Sequence, residues 1–391
     1  MKLEIAVVGA GIGGLATALL AAAEGHEITL FERFAQPHPV GSGLVIQPVG
    51  LAVLDLLGAG EAARRLSSPI LRMYGEGTDG RRVLDVRYPE GAPGRAFHRA
   101  SLFALLWDRI APAGVAVMTS ACVTAAPLDR GRRHVVLEDG RRLGPFDLVV
   151  DASGAGSLLS PLIARPLPYG AIWGTVPWPE GTGFARDHLR QRYRRADRMA
   201  GVLPVGRLPE DPAPVTAVFW SMPAARLARW TRTPPAEWKA EAMTLWPEIA
   251  PFLATITRSD QMVPARYAHG TLRRPYAPAL AHIGDAAHRA SPQLGQGANM
   301  ALLDALALVL ALRAPPEDAL PAYAGMRRWH IRLYQGFSAL LTPMYQSDSR
   351  LLPWMRDRLL APLATWPVVR PMLSHLVAGD LLRPLAGERV P

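Results

Sequence analysis

The chain has 391 residues, 49% hydrophobic and 19% charged, which excludes a disordered or fibrous chain and is long enough to bury a core without covalent staples. Its single cysteine, Cys122, excludes a disulfide framework and any cysteine-based zinc or iron-sulfur centre, and no metal site is expected. Lys and Arg total 43 against 33 acids, a formal charge of +10, yet the basic residues are almost all Arg scattered among Ala, Pro and Leu, without the aromatic-interleaved stripe that a nucleic-acid partner would require.

Taken in chain order, residues 3–8 (LEIAVV) read as a short buried parallel strand. Its apolar run lacks a basic leader and is far shorter than the ~20 residues of a membrane span, so a cytoplasmic protein is expected. A glycine turn follows, then an Ala- and Leu-rich helix over 12–24 ending at Gly25, then a second strand over 27–31. Apolar segments return at 115–123, 134–137 and 147–150, with Asp139-Gly140 marking a hairpin. From about 166 to 280 Pro and Trp are frequent, and short strand-like pieces such as 171–176 and 215–220 alternate with turns, which suggests a second, mostly β layer. After residue 281 the chain resumes α/β character with a strand, a Gly-rich loop and a long apolar helix from Ala298. The last 75 or so residues read as helical pieces broken by Pro343, Pro353, Pro362, Pro367 and Pro371.

Two constellations carry chemistry. Gly9-Ala10-Gly11-Ile12-Gly13-Gly14 fits G-x-G-x-x-G between a strand and a helix, with Glu32 at the end of the next strand. Gly9 permits the tight turn, Gly11 lets the backbone approach a pyrophosphate, Gly14 lets helix and strand pack closely, and Glu32 would accept hydrogen bonds from an adenosine ribose. Only one such fingerprint is present, so a stable second nucleotide domain is not expected. The second constellation runs from His282-Ile283-Gly284-Asp285 through Ser291-Pro292 to Gly295-Gln296-Gly297-Ala298-Asn299, a strand ending in an acid and then a glycine loop opening a helix. Such a helix start offers unpaired N–H groups to an anion or to developing negative charge.

GAGIGG with Glu32-Arg33, the segment 98–106, GDAAH at 284–288 and SPQLGQGANMALLDA at 291–305 together resemble the class A flavoprotein monooxygenases, the family of p-hydroxybenzoate hydroxylase. The resemblance spans the chain from its start to about residue 310. It implies an α/β fold: a discontinuous, Rossmann-like (ββα three-layer) FAD domain from 1–67, 99–165 and 281–320, a β-sheet substrate domain from 68–98 and 166–280, and C-terminal helices over 321–391. It also implies that Glu32 binds the adenosine ribose of FAD, with Gly9, Gly11, Gly14 and Arg33 also cofactor-binding and the Val123 backbone beside the adenine. Arg99 would reach the pyrophosphate and Asp285 the ribityl chain, while Pro292, Gly295, Gly297, Ala298 and Asn299 would frame the isoalloxazine.

The implied reaction is hydroxylation of a phenol- or indole-like aromatic through a C4a-hydroperoxyflavin, with O2 as oxidant and NAD(P)H as a transient reductant. Trp173, Trp178, Tyr193, Phe219 and Trp220 are candidate pocket walls. A monooxygenase acting on a peptidyl Trp or Tyr, an FAD-dependent reductase and a non-enzymatic flavin-binding partner stand as alternatives. Family members commonly carry an acid where this chain has Ser153, a departure that bears on nicotinamide use and not on FAD. His98, His269, His282, His288 and His330 are scattered, and none is assigned as a base. The segment 349–382 resembles the tails of ubiquinone-type hydroxylases and could face a membrane or a protein partner.

Overall fold

The structure, a computed structural model, describes residues 2–37 and 41–388. The first apolar run forms the strand Glu4–Val8 in the middle of a six-stranded sheet, between Glu27–Phe31 and Leu148–Asp151. Ala116–Met118 and Leu280–His282 extend it in parallel, and Tyr276–Ala277 closes one edge antiparallel. Side-chain alternation along the central strand decides the layers. Ile5 and Val7 face the helices Ile12–Ala23 and Gly297–Ala311, while Ala6 and Val8 face a small antiparallel sheet carrying Val135, Leu137 and Phe146. Helices, parallel sheet and small antiparallel sheet thus make the three layers of the nucleotide-binding unit.

The expected strand over 115–123 is two short strands, Ala116–Met118 and Val123–Ala125. The first continues the parallel sheet and the second joins the small one, so the chain crosses layers between them.

The middle of the chain departs from the short pieces expected there. Arg165–Pro177 and Pro214–Pro223 are long central strands of an eight-stranded sheet that also takes in Arg72–Gly77 and Arg82–Arg87. Prolines at both ends of these strands obscure their length in the sequence, because Pro is tolerated where a strand leaves the ladder. Behind this sheet Trp178, Trp220, Trp230, Trp238 and Trp246 form a closed apolar cluster with Phe252. Its other face, with Val205, Ala217 and Phe219, meets the strand Gly43–Ile46, where a Cβ on Gly43 would lie 2.5 Å from Val205.

Pro343 does not break the C-terminal region as expected. It lies inside a helix that runs Pro316–Tyr345. The missing N–H costs one backbone bond near the helix end, where Thr342 Oγ1 already donates to the Ser338 carbonyl and Ser347 Oγ to the Pro343 carbonyl, each at 2.5 Å. Pro353, Pro362 and Pro371 also sit within helical turns, Pro371 in the first turn of Val369–Ala378, where a missing N–H has no helical acceptor to lose. The segment leaves Trp354, Trp366 and Val368 well exposed, and no described helix is long and apolar enough to cross a membrane.

A buried ionic cluster joins the layers. Asp304, fully buried on Gly297–Ala311, accepts from Gly284 N at 2.9 Å and Arg327 Nε at 2.8 Å and pairs with His288 Nε2 at 2.6 Å. Burial by itself would raise its pKa, but His288 and Arg327 outweigh it and hold the carboxylate far below its usual range. Removing one partner of such a pair typically costs 3–5 kcal/mol, because a buried charge is left uncompensated. Arg327 Nη1 also donates to His330 Nδ1 at 3.2 Å, and His330 Nε2 donates to the Gly379 carbonyl at 2.8 Å, which requires the neutral Nε2–H form.

Burial first, and the Arg327 charge next, push the His330 pKa down to about 3 from 6.5. The unfolded chain therefore binds an extra proton between those values, so stability is fully present above about pH 6.5. It should fall as pH drops, by roughly 1.4 kcal/mol per pH unit from this group. Urea unfolding across pH 4–6.5 reads the slope, and His330→Gln should flatten it by that amount; an unchanged slope would locate the titration elsewhere.

Candidate cofactor and active site

The glycine turn is built by close backbone approach. Gly9 has φ +102° and donates its N–H to the Phe31 carbonyl at 2.7 Å; a Cβ there would sit 2.8 Å from the Ala152 carbonyl oxygen. A Cβ on Gly14 would fall 1.9 Å from the Gly9 oxygen, so Gly14 is what lets the helix reach the strand. At Gly11 the result is opposite: a Cβ would meet nothing within 4 Å, because Gly11 faces an open cavity at the N-terminus of Ile12–Ala23.

That cavity, about 450 Å³, gathers Gly9, Gly11, Glu32, Arg33, Arg99 and Val123. Glu32 is buried, and its carboxylate accepts from Ala10 N at 2.8 Å and Phe34 N at 3.0 Å, so it ties the turn to the second strand while lining the cavity. Gly14 lies behind the wall, where its role is packing. Ser153 and Gly154 line the side opposite Glu32. The Ser153 hydroxyl donates to Asp151 at 2.5 Å, and Asp151 also receives Ser157 at 2.6 Å and pairs with His282 Nδ1 at 2.8 Å. Desolvation would raise the Asp151 pKa, but these hydrogen bonds prevail and hold it low. Ser153 is thus a structural partner of a buried carboxylate.

Arg99, the first residue of the helix Arg99–Trp107, extends into the cavity and is exposed to it. Desolvation pushes its pKa down, opposed by the Asp285 carboxylate and by Tyr267. Among the described residues no carboxylate lies within ion-pair distance of it. A guanidinium without an ion-pair partner, an open Gly11 and a helix N-terminus all face one space, and together they fit the diphosphate of FAD. Phe103, one helical turn after Arg99, shares this wall; its i, i+4 spacing is the signal that could have found it.

The second constellation does not line this cavity. Asp285 is exposed at the tip of its turn and is connected to the first constellation through its charge on Arg99. Gly295 closes the turn Pro292–Leu294 in the left-handed region (φ +62°), and the helix begins at Gly297, where a Cβ again meets nothing within 4 Å. Gly297 and Ala298 therefore stand at an accessible helix start, with the exposed Pro292 beside them. The Asn299 side chain points inward, accepting from Gln47 N at 2.7 Å and donating to the Val45 and Gly295 carbonyls. Of the candidate walls, Trp173 stacks on Phe219 with centroids 4.4 Å apart on the side of the sheet that meets Gly43–Ile46, Tyr193 packs against Tyr345 and Arg356 of the C-terminal segment, and Trp178 and Trp220 belong to the cluster behind the sheet. Of the histidines, His98 Nδ1 accepts from Ala100 N as a helix cap, and His282, His288 and His330 are held in the buried networks above.

An open glycine turn, an acid-tipped second strand and a glycine-opened distal helix define a flavin-binding oxidoreductase. The comparisons agree: the FAD binding domain family matches residues 193–323, and the NAD(P)-binding Rossmann-like domain family matches residues 7–42, the glycine turn itself. The chain is 30% identical over 362 residues to 3-amino-4-hydroxybenzoate 2-monooxygenase of Streptomyces cremeus, covering 83% of each. It is 28% identical over 382 residues to 2-heptyl-3-hydroxy-4(1H)-quinolone synthase of Mycobacteroides abscessus, covering 91% of this chain and 92% of that one. In fold it is similar to an HpxO variant from Klebsiella pneumoniae complexed with FAD, with a TM-score of 0.83, 20% identity and coverage of 97% and 100%. The chain belongs to the class A FAD-dependent monooxygenases, the flavoprotein aromatic hydroxylases.

The glycine geometry separates folding from cofactor binding. Gly11→Val should leave the thermal unfolding of the apoprotein within about 0.5 kcal/mol of wild type, as for an unhindered surface position. It should weaken FAD retention at least about tenfold, or ~1.4 kcal/mol. Gly14→Val should fail to fold. Differential scanning fluorimetry and flavin absorbance after gel filtration check both, and a Gly11→Val protein retaining stoichiometric flavin would show that the cofactor lies elsewhere.

Proposed function

We propose that the protein hydroxylates a small aromatic bearing an electron-donating hydroxyl, amino or ring N–H group, inserting one atom of O2 with NAD(P)H as the electron donor. Bound FAD supplies the two-electron carrier and the activation of oxygen. The observation that carries this reading is Arg99, without an ion-pair partner among the described residues, facing the open Gly11 in one cavity, with the Asp285 charge acting on it. Glu32, Arg33 and Val123 are assigned to the adenosine side, and Gly9, Gly11 and Arg99 to the diphosphate. Asp285 is assigned to the ribityl chain, and Pro292, Gly295, Gly297, Ala298 and Asn299 to the flavin ring, Asn299 through its backbone because its side chain is engaged elsewhere.

The same reading assigns 1–67, 99–165 and 281–320 to the FAD domain, 68–98 and 166–280 to the substrate domain, and 321–391 to a C-terminal helical segment. The aromatic substrate would lie between the inner face of the eight-stranded sheet and the flavin ring. Trp173 and Phe219 there supply an apolar wall that excludes water from the reacting atoms. Amino- and hydroxybenzoates and an alkylquinolone are the first substrates to try, by analogy with the relatives.

Purified protein should be yellow. NADH or NADPH oxidation should rise severalfold with one member of that panel, and isotope-labelled O2 should place one oxygen in the product. Rapid flavin reduction with no aromatic stimulation and no oxygenated product would instead assign a reductase.

A further inference from the structure

The inner face of Pro316–Tyr345 carries a polar stripe with no role in the cofactor site. Ser338, Thr342 and, just past the helix end, Gln346 recur every four residues, 1%, 4% and 2% exposed. Ser338 meets the strand Val263–Thr271 at His269. Its residues Ala265, Tyr267 and His269 share one side with Trp173 and Ala171, since Ala171 pairs with Ala265 and Trp173 with Val263. Gln346 leaves both amide atoms buried with no hydrogen-bond partner, and the Ser221 hydroxyl, paired in register with Ala171, is likewise orphaned. An orphaned polar group at such depth costs about 1–3 kcal/mol unless a ligand meets it, and the Ser221 hydroxyl stands on the side of the sheet that carries Trp173, Tyr267 and His269.

His269 is the titratable group on this face. Its Nε2 lies 3.2 Å from Ser338 Oγ, which lies 3.1 Å from Ser291 Oγ, which contacts Thr342 Oγ1. Thr342 Oγ1 in turn donates to the Ser338 carbonyl at 2.5 Å. Proton accounting allows one arrangement in which every contact holds a proton. Thr342 uses its hydrogen on the carbonyl, so Ser291 must donate to Thr342, Ser338 to Ser291, and His269 Nε2–H to Ser338. Nδ1 is then a bare acceptor, and no described group is paired with it.

Because the chain ends on a carbonyl, it orients the ring and does not conduct protons. The strand contributes Tyr267, whose hydroxyl accepts from Trp173 Nε1 at 2.9 Å and lies in the field of Arg99. The neighbouring strands contribute the exposed Arg165, in register with His269, and Arg289, in register with the adjoining Gly270, while Ser338 and Ser291 contribute hydroxyls. Burial alone shifts the His269 pKa, downward, so the ring is neutral near pH 7. Ser291 immediately precedes Pro292, which places this face beside the turn assigned to the flavin ring.

We propose that His269 Nδ1 is the proton acceptor for the hydroxyl of the aromatic substrate, with Ser338, Ser291 and Thr342 as positioning residues. The inference rests on the aromatic-hydroxylase reading. As the ring is attacked its hydroxyl becomes strongly acidic; the O–H bond breaks, an N–H bond forms at Nδ1, and no electron leaves or enters His269. The resulting imidazolium keeps its Nε2–H on Ser338 and returns the Nδ1 proton after product leaves.

The test has two arms. Nitrogen-15 NMR of the FAD-loaded protein labelled at histidine, with His269 assigned by His269→Asn, should show the neutral Nε2–H tautomer at pH 7.5, and Ser338→Ala should shift it toward Nδ1–H. With 3-amino-4-hydroxybenzoate as probe, His269→Asn should lower kcat about 100-fold or more while flavin content and Tm stay within those of wild type. The acid limb of kcat/KM, below pH 6.5 in wild type, should disappear with it. A predominant Nδ1–H tautomer in the wild type, or wild-type turnover by a folded His269→Asn protein, overturns the proposal. If no aromatic stimulates turnover at all, the functional reading fails while the tautomer measurement still decides the geometry of His269.

Discussion

A single buried carboxylate organises this molecule. Asp304 receives the backbone of the Gly284 turn, a histidine from the following loop and an arginine from the longest helix, all inside a core from which water is excluded. Because the desolvated charge must be matched completely, none of these elements can move independently of the others. Asp285, next in the chain to Gly284, is held beside Arg99, and Pro316–Tyr345 is held against the inner side of the eight-stranded sheet. The cofactor cavity and the polar stripe facing the sheet thus share one ionic anchor.

Backbone proximity is the second constraint, and it explains why small residues cluster where the layers meet. Gly13 and Gly284 both approach Ala301 so closely that a Cβ on either would sit 3.2 Å from the Ala301 Cβ. This contact brings Ile12–Ala23 against Gly297–Ala311 and sets the two glycine-opened helix starts in a fixed relation. Helix packing at that distance is available only to residues that add almost no volume.

Much of the nucleotide unit was legible in the sequence, because the forces that make it are local. A β-branched strand, a glycine turn, an alanine-rich helix and an acid at the next strand end are periodic signals read within about 30 residues. The eight-stranded sheet was legible only in part. Its prolines and long reach hid strands of thirteen and ten residues, and its pairing partners lie tens of residues apart. The helix through Pro343 was misjudged for a related reason: the proline stands two residues from the helix end at Tyr345, where only one backbone bond is lost, and sequence does not show that the helix is already ending there.

The chain by itself determined the class of cofactor, through glycines whose spacing answers to a pyrophosphate and a turn, and it determined membership of a family that oxidises aromatics. Only the tertiary structure decided what each histidine does. His98, His269, His282, His288 and His330 look alike in a sequence, since an imidazole's tautomer and charge follow from which atoms surround it. Four find hydrogen-bond partners that commit them to structure; His269 is held at one nitrogen by Ser338, which a loop and the same helix orient in turn through Ser291 and Thr342, all far along the chain.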